Sequence, residues 1–255
     1  MKKKAIQVQD VSFGYTSDSA VLKNVSFDIE EGEFVGLIGP NGGGKTTLLK
    51  LLLGFIKPTS GEIKIFSKSP TDYPNSIGYV PQVLHYDRTF PISVIDLVLE
   101  GRLSHLSWLG RYSKRDKELS YHALEQVGLS DFCNRSFGTL SGGQAQRALI
   151  ARALATEPKV LLLDEPLAAV DVQAEADFYQ IMHKIRENLT IMMVTHDIQA
   201  IIQQVRRVLC VQGGVISLEP GQVCEHFALG LYHFPLINAP DQHFAKTNFH
   251  FNKQP

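Results

Sequence analysis

The sequence predicts an α/β fold: a parallel-sheet core around a glycine-rich loop, with an antiparallel β-subdomain ahead of it and a helical subdomain inserted in it. Three observations predict this. The apolar run Phe34-Val35-Gly36-Leu37-Ile38 enters Gly39-Pro40-Asn41-Gly42-Gly43-Gly44-Lys45-Thr46, and the helical run Thr47-Leu48-Leu49-Lys50-Leu51-Leu52-Leu53 leaves it. Val160-Leu161-Leu162-Leu163 and Thr190-Ile191-Met192-Met193-Val194 are short, wholly apolar strands, as a parallel sheet covered on both faces requires. Helical patterns at about 172–188 and 197–205 alternate with them.

The remaining elements come in chain order. Over residues 5–38 apolar and polar residues alternate (Ile6, Val8, Val11, then Val21, Leu22, Val25, Phe27, Ile29), with turns at Thr16-Ser17-Asp18-Ser19 and Glu30-Glu31-Gly32. That pattern predicts an antiparallel sheet leading into the strand at 34–38. Gly61–Phe66 and Ile77–Val80 read as two further strands. Beyond Pro91 the spacing becomes helical: Val94, Leu97, Val98 and Leu103, then Leu119, Ala123, Leu124 and Val127, so about 92–155 is expected to be mostly helical. After Pro220 the chain turns irregular and rich in Phe, His, Asn and Pro.

The bulk numbers exclude several classes. The 255 residues suffice for one large domain or one domain with a subdomain, and 44% hydrophobic content suits a globular core. A net charge of −1 argues against a nucleic-acid-binding face. No apolar stretch of about 18 residues occurs, so no direct membrane span is expected, and the N-terminus has no long apolar segment of the secretory kind. Three scattered cysteines (Cys133, Cys210, Cys224) suit free thiols in a reducing compartment and point to the cytoplasm.

Gly39–Thr46 fits the phosphate-cradling pattern G-x-x-x-x-G-K-[ST] without a mismatch. Backbone N–H groups of such a loop can curl round an anion, and the following helix turns its positive end toward it. Lys45 is expected on the β- and γ-phosphates and the Thr46 hydroxyl on Mg²⁺, with Thr47 next in the phosphate-facing set. Leu140-Ser141-Gly142-Gly143-Gln144 opens a second helical run. Ser141 is placed as its N-cap, and a capped helix alone accounts for the serine but not for Gly-Gly-Gln. Two phosphate-facing helix starts in one chain imply that the second serves another chain's nucleotide. The strand 160–163 ends in Asp164-Glu165. Asp164 can hold Mg²⁺ through water, and Glu165 is next in line to accept the proton of an attacking water.

Together the glycine-rich loop, Leu140–Gln144 and Asp164-Glu165 resemble the nucleotide-binding subunit of an ATP-binding-cassette (ABC) transporter, over about residues 5–219. The resemblance implies a P-loop, RecA-like core at 5–219, with the helical subdomain at about 92–155 inserted and a C-terminal extension at 220–255. It implies that Gln82, in Tyr79-Val80-Pro81-Gln82, reaches the Mg²⁺ or the attacking water. It implies that His196, in Val194-Thr195-His196-Asp197, contacts the γ-phosphate, and that Tyr15 stacks on adenine. Asp171, in Ala168-Ala169-Val170-Asp171, matches the family's dimer-crossing aspartate, although the segment departs from the more usual Ser-Ala-Leu-Asp. It further implies a homodimer that sandwiches two ATP molecules, each between Gly39–Thr46 of one copy and Ser141–Gln144 of the other. The partners implied are a polytopic membrane permease and a solute-binding protein, with the subunit peripheral on the cytoplasmic face of a bacterial cell membrane.

The segment Tyr86–Arg102, with Trp108-Leu109-Gly110-Arg111 after it, is similar to ATPases of bacterial manganese, zinc and iron importers. Phe90, Pro91, Ile92 and Val94 are expected to form a groove for a short helix of the permease. Iron-chelate and cobalamin importers are the near alternative, and an ATP-gated clamp on a scaffold is the non-transport one. His226, His233, His243 and His250 near the C-terminus do not match a compact zinc motif in their spacing.

Overall fold

The computed structural model describes residues 3–16, 19–82, 89–168, 171–187 and 189–223. Tyr86–Arg88, Ala169, Val170 and the four C-terminal histidines named above lie outside them.

Among the described residues two sheets form (β2-β1-β4 and β5-β6-β7-β3-β8-β9). The first pairs β1 (Lys4–Thr16) with β2 (Ser19–Glu30) as a hairpin and with β4 (Ser60–Ile65), antiparallel on both sides. In the second, β5 (Ile77–Val80), β6 (Val160–Asp164), β7 (Thr190–Val194), β3 (Phe34–Ile38) and β8 (Arg207–Gln212) run parallel. β9 (Gly214–Leu218) closes the edge antiparallel to β8. β8 and β9 have no counterpart in the sequence prediction.

Every residue of β3, β6 and β7 is buried, because the sheet is covered twice. Phe34, Ile38, Leu161, Leu163, Ile191 and Met193 pack on one face with the helices; Val35, Leu37, Val160, Leu162, Met192 and Val194 pack on the other with α1 (Lys45–Leu52) and the antiparallel sheet. Strict two-residue periodicity sorts the side chains between the layers, so the strands read as continuous apolar runs.

The helical region is broken rather than continuous. It holds α2 (Val94–Leu99), α3 (Lys114–Gln126) and α4 (Gly142–Leu154), separated by 3₁₀ turns at Glu100–His105, Ser130–Phe132 and Phe137–Thr139. Leu103 is 55% exposed, so the helical spacing that placed it with Val94, Leu97 and Val98 fails there: the chain has already tightened into the 3₁₀ turn and rotated that side chain outward. Val94 is wholly buried in the core and cannot line a permease groove as expected. Of that group, Phe90 and Pro91 are exposed and Ile92 is partly buried. Arg102, within the 3₁₀ turn that follows α2, is buried and fastens the subdomain: its guanidinium donates to Asp116 (3.0 Å) and to the Ala155 carbonyl (3.0 Å). Two further helices, α5 (Val172–Ile185) and α6 (Ile198–Gln204), complete the cover.

Candidate active site

Parallel α/β sheets place their functional groups beyond the carboxyl ends of the strands. Here the order β5-β6-β7-β3 sets four strand ends side by side. Gln82 follows β5, Asp164 and Glu165 end β6, His196 follows β7, and the glycine-rich loop follows β3. All but Asp164 meet at a cleft of about 510 Å³ lined by residues of the loop, by Thr46 and Thr47, and by Tyr15, Gln82, Glu165 and His196. That volume lies in the range of ligand pockets, about 300–1,000 Å³.

The loop is built by packing from behind. A Cβ on Gly39 would stand 2.2 Å from the Val211 carbonyl oxygen, and one on Gly43 would stand 2.7 Å from the same atom. Gly44 adopts φ 108°, a conformation that glycine tolerates, and delivers the chain into α1. The Gly213 N–H donates to the Gly43 carbonyl at 3.0 Å, fixing the cradle to the turn between β8 and β9. Lys45 is buried, and its ammonium donates to the carbonyls of Gly39 (2.7 Å) and Pro40 (3.1 Å). Burial pushes the Lys45 ammonium down from its ordinary value, against the opposing pull of Glu165 and Asp164.

Glu165 is the convergence point. One carboxylate oxygen accepts from Gln82 Nε2 at 2.6 Å; the other stands 2.6 Å from His196 Nε2. Its backbone has φ 47°, a costly conformation for a non-glycine residue, held by an N–H donated to the Val194 carbonyl at 3.0 Å. Asp164 lies deeper and is buried; the Tyr79 hydroxyl donates to its Oδ2 at 3.3 Å. Burial raises the Asp164 carboxyl, and the Tyr79 hydrogen bond works against that rise. The Tyr79 hydroxyl itself is pushed up to about 12, by burial first and by Asp164 second, so it remains a donor near neutral pH. Sequence reasoning passed over Tyr79. Its one visible signal was its place on a strand ending in the glutamine motif.

Tyr15 is 59% exposed, with its ring edge-on to Phe13 (centroids 5.0 Å apart) and its hydroxyl 3.4 Å from Thr47 Oγ1. It therefore offers a face to the cleft. A single chain does not bring Ser141, Gly142, Gly143, Gln144 or Asp171 to the cleft lining. They cap and pack two neighbouring helix starts instead. Ser141 Oγ accepts from the Gln144 N–H (3.3 Å) while Gln144 Oε1 accepts from the Ser141 N–H (3.0 Å), a reciprocal capping box. A Cβ on Gly143 would stand 2.7 Å from Ala174 Cβ. Asp171 Oδ1 caps α5 by accepting from the Ala174 N–H at 2.9 Å. Contacts within the chain thus account for the serine, the second glycine and the glutamine, more of the motif than a simple capped helix was expected to explain.

A family profile described as ABC transporter matches residues 22–168. The chain belongs to the ABC transporter family. Among relatives of this ABC protein, a probable metal transport system ATP-binding protein of Chlamydia pneumoniae is 49% identical, over 76% of this chain and 80% of the relative. The high-affinity zinc uptake system ATP-binding protein of Bacillus subtilis is 41% identical, over 82% of this chain and 91% of its own. The manganese transport system ATP-binding protein of Listeria monocytogenes is 42% identical, over 75% and 80%. Among solved structures, a transporter described as metal-chelate type and inward-facing shares 31% identity at a TM-score of 0.78, covering 89% of this chain and 88% of that one. The ABC protein shares that transporter's fold over most of both chains.

Proposed function

We propose that this chain is the ATP-hydrolysing subunit of an importer of divalent metal ions, manganese, zinc or iron, working as a pair on the cytoplasmic face of a bacterial cell membrane beneath a separate permease fed by a solute-binding protein. The observation that carries the enzymatic half is Glu165, held between Gln82 and His196 at the mouth of the Lys45 cleft. The relatives' roles in metal, zinc and manganese transport support the cargo. In this reading passage of the cargo falls to another chain; among the described residues no helix is long and apolar enough to cross a membrane.

The residues fit a magnesium–nucleotide complex. Among the described residues no group of three or more His, Cys, Asp or Glu could cage a metal alone. A hard dication held by one carboxylate, a hydroxyl, water and substrate phosphates needs no such cage. Asp164, the Thr46 hydroxyl and the Gln82 carboxamide would hold it. Bound there, Mg²⁺ neutralises charge on the β- and γ-phosphates. Lys45 leaves the Gly39 and Pro40 carbonyls for the phosphates, Tyr15 stacks on the base, and Glu165 takes the proton of the attacking water while His196 orients it. Ser141–Gln144 and Asp171 of a second copy close the outer face of each nucleotide. ATP favours the closed pair because its terminal phosphate bonds both copies, which ADP cannot do.

The test is transport. The subunit, reconstituted in vesicles with the permease it purifies with, should drive ATP-dependent uptake of radioactive zinc or manganese, and the metal-loaded binding protein should raise ATP hydrolysis. Uptake of an iron chelate or cobalamin instead would favour the second reading, which the metal-chelate neighbour supports. Recovery with a soluble scaffold and no permease would overturn the transport reading.

A further inference from the structure

Between the 3₁₀ turn at Glu100–His105 and α3, one tight turn displays two large apolar side chains to water. Trp108 is 93% exposed and Leu109 59%. The backbone beneath them is closed. The Gly110 N–H donates to the Ser107 carbonyl (2.8 Å), the Ser107 N–H to the Arg111 carbonyl (3.1 Å), and the Arg111 N–H to Ser107 Oγ (3.1 Å). Gly110 adopts φ 68° to complete the turn. Among the described residues the indole packs in no core cluster.

The adjoining sequence is mostly basic. Arg111, Lys114, Arg115 and Lys117 are all exposed, against exposed Glu100 and Glu118 at its two edges, whereas Asp116 is buried against Arg102. Lys114 stands 3.5 Å from Glu118 and Arg115 3.6 Å from Glu157, but these lysine and arginine side chains are 92% and 75% exposed. Ion pairs so open to water are weak and exchange partners readily. The chain as a whole carries a net charge of −1, so this is a local excess of positive charge.

We propose that the Trp108–Leu109 turn is a membrane-surface wedge. The two side chains enter the boundary between headgroups and acyl chains of an anionic bilayer, and Arg111, Lys114, Arg115 and Lys117 meet the lipid phosphates. Tryptophan prefers that boundary, and clustered cations are drawn to the negative surface. A protein partner fits less well. A stable interface buries about 800 Å² on each side, whereas a projecting tip of one tryptophan, which buries about 150–250 Å², and one leucine offers far less. The proposal rests on the reading that the subunit works at a membrane, and its test needs neither nucleotide nor permease.

Trp108 is the single tryptophan of the chain, so its fluorescence reports the turn directly. With vesicles of phosphatidylcholine and phosphatidylglycerol, emission should shift to the blue, brominated acyl chains should quench it, and high salt should reverse both. Pure phosphatidylcholine should do neither. Trp108→Ser/Leu109→Ser should lower co-sedimentation with anionic vesicles by about tenfold or more, the equivalent of exposing one large apolar side chain. Arg111→Glu/Lys117→Glu should abolish the anionic preference. ATP hydrolysis by the isolated Trp108→Ser/Leu109→Ser chain should match the parent, so loss of hydrolysis in the parent itself would count against the ATPase reading alone. The wedge is overturned if anionic vesicles leave the emission unmoved, if the shift needs permease in the bilayer, or if the serine variant sediments undiminished.

Discussion

Replacing Glu165 by glutamine changes one atom and removes one charge, and the geometry of its two contacts sets the outcome. Each carboxylate oxygen has its own neighbour at 2.6 Å, Gln82 Nε2 on one side and His196 Nε2 on the other. A carboxamide offers a single acceptor oxygen. One of the two contacts must therefore take an N–H from the new carboxamide, and it survives where the neighbour presents an acceptor, either the unprotonated His196 ring nitrogen or a flipped Gln82 carboxamide oxygen. More consequentially, an amide cannot take a proton from water. General-base catalysis contributes about 10²–10⁴-fold, which corresponds to a barrier rise of about 3–5 kcal/mol. Lys45 loses the pull of the Glu165 charge but keeps its hydrogen bonds to Gly39 and Pro40, so nucleotide affinity should persist. Single-turnover phosphate release measures the chemistry, nucleotide titration measures the affinity, and light scattering with Mg·ATP measures the association. Glu165→Gln should bind, fail to turn over and accumulate as a dimer. Turnover within about tenfold of the parent, below the lower end of the general-base range, would show that another group takes the proton.

Tyr79→Phe deletes the hydroxyl 3.3 Å from Asp164. At about 1.5 kcal/mol for a hydrogen bond to a charged group, the Mg²⁺ concentration required should rise about tenfold with affinity for metal-free ATP unchanged. A Mg²⁺ titration of hydrolysis and Mn²⁺ binding by electron paramagnetic resonance read this, and unaltered curves would refute it. Gly143→Ala forces a carbon to 2.7 Å from Ala174 Cβ, well inside the usual contact of about 3.5–4.0 Å. A loss of about 1–3 kcal/mol is expected, recovered in the double variant with Ala174→Gly, and chemical denaturation would show a plain sum of losses if the contact is irrelevant. Arg102→Met leaves the buried Asp116 carboxylate without its guanidinium, so a cost of about 3–5 kcal/mol should appear in the same measurement. The Asp116 carboxyl is held down at about 2, first by the Ser113 hydroxyl, with Arg102 contributing. Its stabilisation is complete above the unfolded value of about 4 and is lost as pH falls toward about 2. Ser113→Ala should flatten that acid limb, and an unchanged limb would contradict the assignment.

Much of the cleft was legible because its residues stand where buried apolar runs stop. Asp164-Glu165 after Val160–Leu163 and His196 after Thr190–Val194 mark strand ends, and strand ends of a parallel sheet face one edge. What escaped depended on partners far along the chain. Tyr79 meets Asp164 only because Tyr79 registers with Leu162 across β5 and β6, 83 positions apart in sequence. The packing reason for Gly143 is Ala174, on another helix. β8 was missed although Val208–Val211 is apolar, since a four-residue run directly after a helix carries no period of its own. Its loss also hid what anchors the glycine-rich loop, the Val211 carbonyl and the Gly213 turn.

Within one copy, the serine–glycine start of α4 is absent from the cleft at the glycine-rich loop. If each pocket is finished by its neighbour, a solitary molecule idles even when loaded. At low concentration, hydrolysis by free copies should climb with the square of the protein present, then become first order once a scaffold keeps two of them face to face. Fuel consumption would be throttled by assembly itself, with no separate inhibitor needed to keep stray subunits quiet.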